Sequence, residues 1–310
     1  MARLKPEELY ELYRKENIIG CIDEPHVFEE LMQSSKYAYF ADGAKSIKDS
    51  GKGKLALPFK SVLKFDKKAY SERQTTGDCV SHGTRSAVDL SRAVEIDIKG
   101  EKEGWHYRGA TEAIYGARGH GGQGMSCSRA ATFISQSGGI LLRKNYPGIA
   151  DFSKYNGNLG AGWGSRGLPD KVIDEAEKHQ VKTVSLIKST EEARDALANG
   201  YGICVCSGYG FSNKRDSKGI ARKSGSWAHA MAWVAVDDTH DRYNETLFLV
   251  QNSWGLWNSG PKVHDQPDGS FWIRESDAAG MIAQRGSYAF SNVNGFPPQK
   301  LDDLGFVDYL

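Results

Sequence analysis

No apolar run in the 310-residue chain approaches the roughly twenty residues that a membrane-spanning helix needs. The longest nearly apolar stretch, Ala228 to Val236, is about nine residues long and contains His229. The first residues, Met-Ala-Arg-Leu-Lys-Pro-Glu-Glu, lack the apolar segment of a secretory signal, so the cytoplasm is the default expectation. An excess of either charge is missing as well: 40 Lys+Arg against 39 Asp+Glu leaves +1, too little for a global field that would hold nucleic acid or an anionic membrane. Cysteine is scarce. Cys21, Cys79, Cys127, Cys204 and Cys206 are odd in number and irregularly spaced, which favours thiols over a disulfide framework. No internal repeat or low-complexity tract interrupts the chain. What remains is an ordinary globular composition, 39% hydrophobic with 35 Gly, long enough for one large domain or two modest ones.

Pro6 to Lys15, with Glu7 and Glu8 in a first turn and Leu9, Leu12 and Tyr13 on one face, reads as a short amphipathic helix. Val27 to Met32 reads as a second. Ala41 to Lys60 is polar and broken by Gly43, Gly51, Gly53 and Pro58, so residues 1–66 are expected to form an N-terminal arm. From Cys79 the stripe Val80, Thr84, Ala87, Val88, Val94 predicts a buried helix, and Tyr107–Ala117 and Ser128–Ser137 predict two more. Ser189 and Glu192 form a capping box for a helix ending at Ala198. Beyond it, Ile203–Cys206, Met231–Val236, Thr246–Gln251 and Ser270–Ile273 are short β-branched or aromatic runs, the pattern of strands. Helices first and strands second predict an α+β fold of two lobes, over residues 67–295 with the change near 180 and a tail at 296–310.

A thiol attacks as the thiolate, and a helix N-terminus beside an imidazolium lowers its pKa. Cys79 opens a predicted helix, in Gln74-Thr75-Thr76-Gly77-Asp78-Cys79, with the Gln74 amide five residues upstream as an oxyanion donor beside the Cys79 N–H. His229 heads an apolar strand and could serve as base. Asn252 follows another strand, in Gln251-Asn252-Ser253-Trp254-Gly255, and could orient the ring. Each is ordinary alone: free cysteines are mostly inert, a histidine can be satisfied in the core, and an asparagine can simply make a turn.

Taken together, Gln…Cys opening a helix, a His at the head of a strand and Asn-Ser-Trp-Gly after another resemble the papain-like cysteine peptidases, in the family's order. Gly124-Met125-Ser126 and the helix after it resemble the stretch along the substrate backbone. Gly269–Ile273 and Met281–Phe290 resemble later strands, for coverage of about 72–292. The sequence departs from the Cys-Gly-Ser-Cys-Trp signature, with Val80 where the aromatic would stand and Gln74 one residue closer than usual. The resemblance implies a two-lobe fold whose second lobe is an antiparallel β-barrel-like unit. It also implies peptide hydrolysis through Cys79, His229, Asn252 and Gln74, with Gly124, Met125 and Trp254 along the substrate. A polypeptide substrate is expected, with no cofactor, metal, nucleic acid or membrane. No match to a helical inhibitory pro-region is found in residues 1–66.

Other readings compete. His82, one turn after Cys79, is a rival base. Gly119-His120-Gly121-Gly122-Gln123-Gly124 fits a dinucleotide motif but lacks the preceding strand and the later acidic residue. Cys204 and Cys206 share a strand face and are expected in the core rather than on a metal. Lys214, Arg215, Lys218, Arg222 and Lys223 form a basic stretch expected to be solvated. From another class, the chain could be a structural or phage-virion protein that reuses the fold and docks a partner through its arm and tail.

Overall fold

The computed structural model describes residues 20–22, 24, 27, 30–31, 37–99 and 105–299. The expected helix Pro6–Lys15 lies outside the described residues, as does most of Val27–Met32, of which residues 27, 30 and 31 are helical.

From residue 37 on, the expected arm is woven into the main sheet. Strand β1 (Ala38–Tyr39) pairs in parallel with a later strand, and β2 (Leu55–Ala56) pairs with the strand that carries His229. The polar loop between them is held by side chains of the domain: Asp195 accepts from the Asp49 and Gly51 amides at 2.7 and 3.1 Å, and Asp238 from Gly53 at 2.6 Å. The glycines that broke the helical period thus leave backbone N–H groups available to buried carboxylates.

Helix α1 (Phe59–Phe65) leads to the central α2 (Cys79–Lys99). Val80, Ala87, Leu90, Ala93 and Val94 of α2 are fully buried, while its small Ser81, Gly83 and Ser86 let neighbouring chain come close. Two predicted helices are shorter than their periodicity suggested: α3 (Glu112–Gly116), and α4 (Cys127–Thr132), which passes into a wider turn over Phe133–Ser137. A small hairpin of β3 (Asn145–Tyr146) and β4 (Ala150–Asp151) precedes α5 (Gly157–Arg166) and α6 (Asp170–Ala176). Strand β5 (Thr183–Leu186) is followed by α7 (Thr190–Ala198), where the Ser189 hydroxyl accepts from the Glu192 amide at 3.3 Å, as the capping box requires.

The long antiparallel pair β6 (Ile203–Arg215) and β7 (Ala221–Asp237) is continued by β8 (Leu247–Gln251) and β9 (Ser270–Arg274). Helix α8 (Glu275–Ile282) and β10 (Ser287–Ser291) replace the single closing strand expected over Met281–Phe290. The sheet runs β1-β5-β10-β6-β7-β8-β9 and does not close, so the expected barrel-like lobe is corrected to an open sheet with β1 and β9 at its edges. The α+β class stands. Helix α2 packs across β6, β7 and β10, and its first residue, Cys79, meets the strand of His229.

Two further expectations change. Arg215 is buried in the hairpin, donating to the carbonyls of Gly260, Pro261 and Ser270 at 2.7–2.9 Å, so the basic stretch is not wholly a solvated face. Cys127 and Cys206, expected as thiols, form a disulfide between α4 and β6; Cys21, Cys79 and Cys204 are reduced. Its partners are 79 residues apart, on elements that only the tertiary fold brings together. At the tail, Phe296 packs between Phe40 and Tyr201 with ring centroids 4.7 and 5.0 Å away. Among the described residues no helix is long and apolar enough to cross a membrane.

Candidate active site

Cys79 is the first residue of α2, fully buried, and its approach loop is pinned from several sides. The Gln123 side-chain oxygen accepts from the Gly77 amide at 2.7 Å and the Thr76 hydroxyl at 2.8 Å. Tyr155 donates its hydroxyl to Asp78 at 2.8 Å and accepts from the Thr75 amide at 3.0 Å. Gln74 is fixed at both ends of its amide: Nε2 donates to Thr76 O at 2.8 Å, and Oε1 accepts the Ser253 hydroxyl. An amide carries two N–H donors, and the Thr76 carbonyl takes one, so the expected oxyanion donor also serves to shape the loop.

On the other lobe, His229 pairs with Ser207 across the β6–β7 ladder, before the register of that ladder shifts toward the hairpin tip. Its Nε2 lies 2.9 Å from Asn252 Oδ1 at the end of β8. That bond leaves Nδ1 as the second ring nitrogen, buried with no hydrogen-bond partner among the described residues. The next residue, Ala230, donates its amide to Cys79 Sγ at 3.4 Å, so strand and helix meet at the sulfur. Trp254, expected along the substrate, is buried against the His229 ring, with centroids 4.5 Å apart, and meets Trp227 at a tilt and Trp257 edge-on. It shields the imidazole–amide pair from water, which strengthens that hydrogen bond.

A backbone segment lies over the sulfur. Gly20 and Cys21 both donate to Ala228 O, at 3.0 and 2.9 Å; Ile22 donates to Met125 O at 3.0 Å, and Met125 donates to Gly20 O at 3.3 Å. This strap, residues 20–22, uses the backbone of Met125, a residue expected at the substrate, and the carbonyl just before His229. A Cβ on Gly20 would stand 2.6 Å from Cys79 Sγ, closer than any side chain tolerates, so only glycine fits in this position. Glu24 anchors the strap further along, accepting the Ser126 hydroxyl at 2.6 Å with Arg129 at 3.8 Å. Next to it a cavity of about 170 Å³ is bordered by Cys21, Ile22, Ser126, Cys206, Ala228 and Tyr288. Gly124, with φ of 86°, donates its amide to the Tyr115 hydroxyl at 3.3 Å and turns the chain into Met125.

Burial sets the protonation of the pair. Desolvation pushes the Cys79 thiol far above its ordinary range, outweighing the Ala230 hydrogen bond, and it lowers His229 to about 4 against the raising effect of Asn252. Covered, the thiol and the ring are both held neutral. The rival base His82 turns instead toward carboxylates, with Nε2 3.5 Å from Asp78 and Nδ1 4.0 Å from Glu72. The strap, Gln123, Ser253 and the disulfide were not singled out for the site in the sequence. Gln123 and Ser253 stood inside the quoted motifs, whereas nothing about Gly20 marks its position over the sulfur.

No protein-family model and no curated protein matches the chain. Among solved structures it is similar to xylellain, a cysteine protease from Xylella fastidiosa, at 14% identity and a TM-score of 0.49, covering 72% of this chain and 82% of that one. It is also similar to procathepsin B S9 from Trypanosoma congolense, at 11% identity and a TM-score of 0.46, covering 79% and 77% respectively. The likeness to these proteins is one of fold.

Proposed function

We propose that the chain is a cysteine peptidase acting on polypeptides, held latent by its own strap at residues 20–22. The observation that carries the reading is the convergence of separate segments on one sulfur. His229 is bonded to Asn252 at 2.9 Å, and the residue after His229 donates to Cys79 Sγ at 3.4 Å.

With the strap displaced, water enters and charge separation becomes favourable: the Cys79 proton passes to His229 Nδ1, and Asn252 holds the ring through Nε2. The thiolate adds to a peptide carbonyl, and the oxyanion meets the Cys79 N–H at the start of α2 and the Gln74 amide. His229 returns the proton to the departing amine, leaving a thioester that water, deprotonated by the same ring, hydrolyses. An extended peptide would take over the strap's hydrogen bonds to Met125 and Ala228 O. The Cys127–Cys206 bridge suits surroundings more oxidising than the cytosol, which counts against the cytoplasmic default. Residues 37–66 and 296–299, parts of the arm and tail through which a partner could dock, pack on the chain's own sheet and helices.

The test is covalent: a peptidyl epoxide should label Cys79 stoichiometrically once the strap is displaced by Gly20→Leu, and labelling should fall away in the added His229→Ala variant. A thiol that stays inert in the Gly20→Leu protein would overturn the reading in favour of a structural protein on this fold.

A further inference from the structure

Three sulfur atoms meet where α4 crosses β6. Cys204 and Cys206 stand two residues apart on the strand, so both side chains leave it on one face. That face meets Cys127, which is bridged to Cys206 across Cα atoms 6.2 Å apart, while the Cys204 sulfur lies 3.7 Å from the Cys127 sulfur. This is contact distance, so a second sulfur faces Cys127 beside the bridge. Gly83 of α2 closes the other side: a Cβ there would stand 2.9 Å from Cys204 Sγ, and the neighbouring Thr84 hydroxyl donates to that sulfur at 3.7 Å. Cys204 is sealed from solvent, whereas Cys127 and Cys206 border the cavity beside the strap.

We propose that Cys127, Cys204 and Cys206 form a thiol–disulfide exchange site with two alternative bridges, Cys127–Cys206 and Cys127–Cys204, the second of which presents the Cys206 thiol to the cleft cavity as a modification site for small electrophiles. In the exchange the Cys204 thiolate attacks Cys127 Sγ. The Cys127–Cys204 bond forms, the Cys127–Cys206 bond breaks, and Cys206 leaves as a thiolate that takes up the proton Cys204 gave. The trio's electron count is unchanged, so no oxidant or reductant is consumed. The exchange moves the link between α4 and β6 two residues along the strand, about 7 Å at about 3.3 Å per residue, and away from the cavity wall. It stands whether or not Cys79 is a nucleophile. Burial pushes the Cys204 thiol up to about 12, so the exchange is slow at neutral pH and gains about tenfold per pH unit as the thiolate fraction rises.

The experiment uses the full chain, oxidised, with Cys21→Ser and Cys79→Ala to remove the other two thiols. Iodoacetamide is added without any external thiol over a series of alkaline pH values, the reaction is quenched in acid, and peptides are mapped by mass spectrometry without reduction. The expected result is a carboxamidomethyl group on Cys206 paired with a Cys127–Cys204 bridge, formed faster at higher pH. Adding Cys204→Ser should abolish the Cys206 label and keep the Cys127–Cys206 bridge, which also reports that the fold survives. Adding Cys206→Ser should yield the Cys127–Cys204 bridge quantitatively on oxidation. The proposal is overturned if Cys206 stays unlabelled, if it labels equally in the Cys204→Ser protein, or if the Cys206→Ser protein keeps two thiols under the same oxidation.

Discussion

At Cys79 two influences on the thiol oppose each other. The start of α2 and the Ala230 amide favour a thiolate, while burial beneath Gly20 disfavours any charge, and burial prevails. The same burial holds His229 neutral. Its pKa falls from an unfolded value near 6.5 to about 4, so the folded state binds the proton more weakly than the unfolded one. The stability this contributes is complete above about pH 6.5 and is lost as the pH falls toward 4. Denaturation midpoints measured across that window should decline in the wild type, and the decline should be shallower in His229→Gln. For Gln74, once the strap is displaced, Gln74→Ala should lower kcat by about 10²–10³ if the amide is an oxyanion donor, as read from peptide hydrolysis. Cys79, His229, Asn252 and Gln74 could be proposed from the sequence because each stands in a motif of fixed local order. Gly20 was not, since its glycine matters only through a sulfur 59 residues away in the chain, and no local pattern encodes that approach.

Among the elements, the strap is held by backbone hydrogen bonds to Ala228 and Met125 and by the Glu24 anchor, whereas the loop before Cys79 is held by the side chains of Gln74, Gln123 and Tyr155. In the proposed latent peptidase the strap is the part that leaves. Gly20→Leu forces a side chain into the space of the Cys79 sulfur, and alkylation of Cys79 by iodoacetamide should accelerate strongly over wild type. An unchanged rate would show that the strap is not what limits access. Beneath α3, Arg143 forms a buried pair with Glu112 at 2.7 Å and with Glu72 at 2.7 Å, and the Asn156 amide donates to Glu112 at 2.8 Å. Arg143→Ala would leave the buried Glu112 carboxylate without its cation, while Glu72 keeps Arg85 at 3.7 Å, and should cost about 3–5 kcal/mol of unfolding free energy, measured by chemical denaturation. Helices with a strong apolar period, such as α2, could be read directly from the chain. The length of β6 and β7 could not, because exposed residues such as Asn213, Lys214 and those at 222–226 interrupt any apolar run there, and pairing between the two strands keeps them in strand form.

At the scale of the molecule, one open sheet supports both lobes, and its strand order brings the middle of β7, at His229 and Ala230, to the start of α2. The α+β class followed from helices preceding strands. The openness of the sheet and the incorporation of residues 37–66 did not, since β1 and β2 are two residues each and acquire their form only by pairing with β5 and β7. The Cys127–Cys206 bridge, likewise, depends on a crossing of α4 and β6 that composition cannot report. Peptide hydrolysis by the Gly20→Leu chain, compared with the same chain carrying Cys79→Ala, tests the account most directly. Turnover in the first and none in the second is the predicted result; equal rates in both, or no hydrolysis by a chain whose Cys79 is openly alkylated, would contradict it.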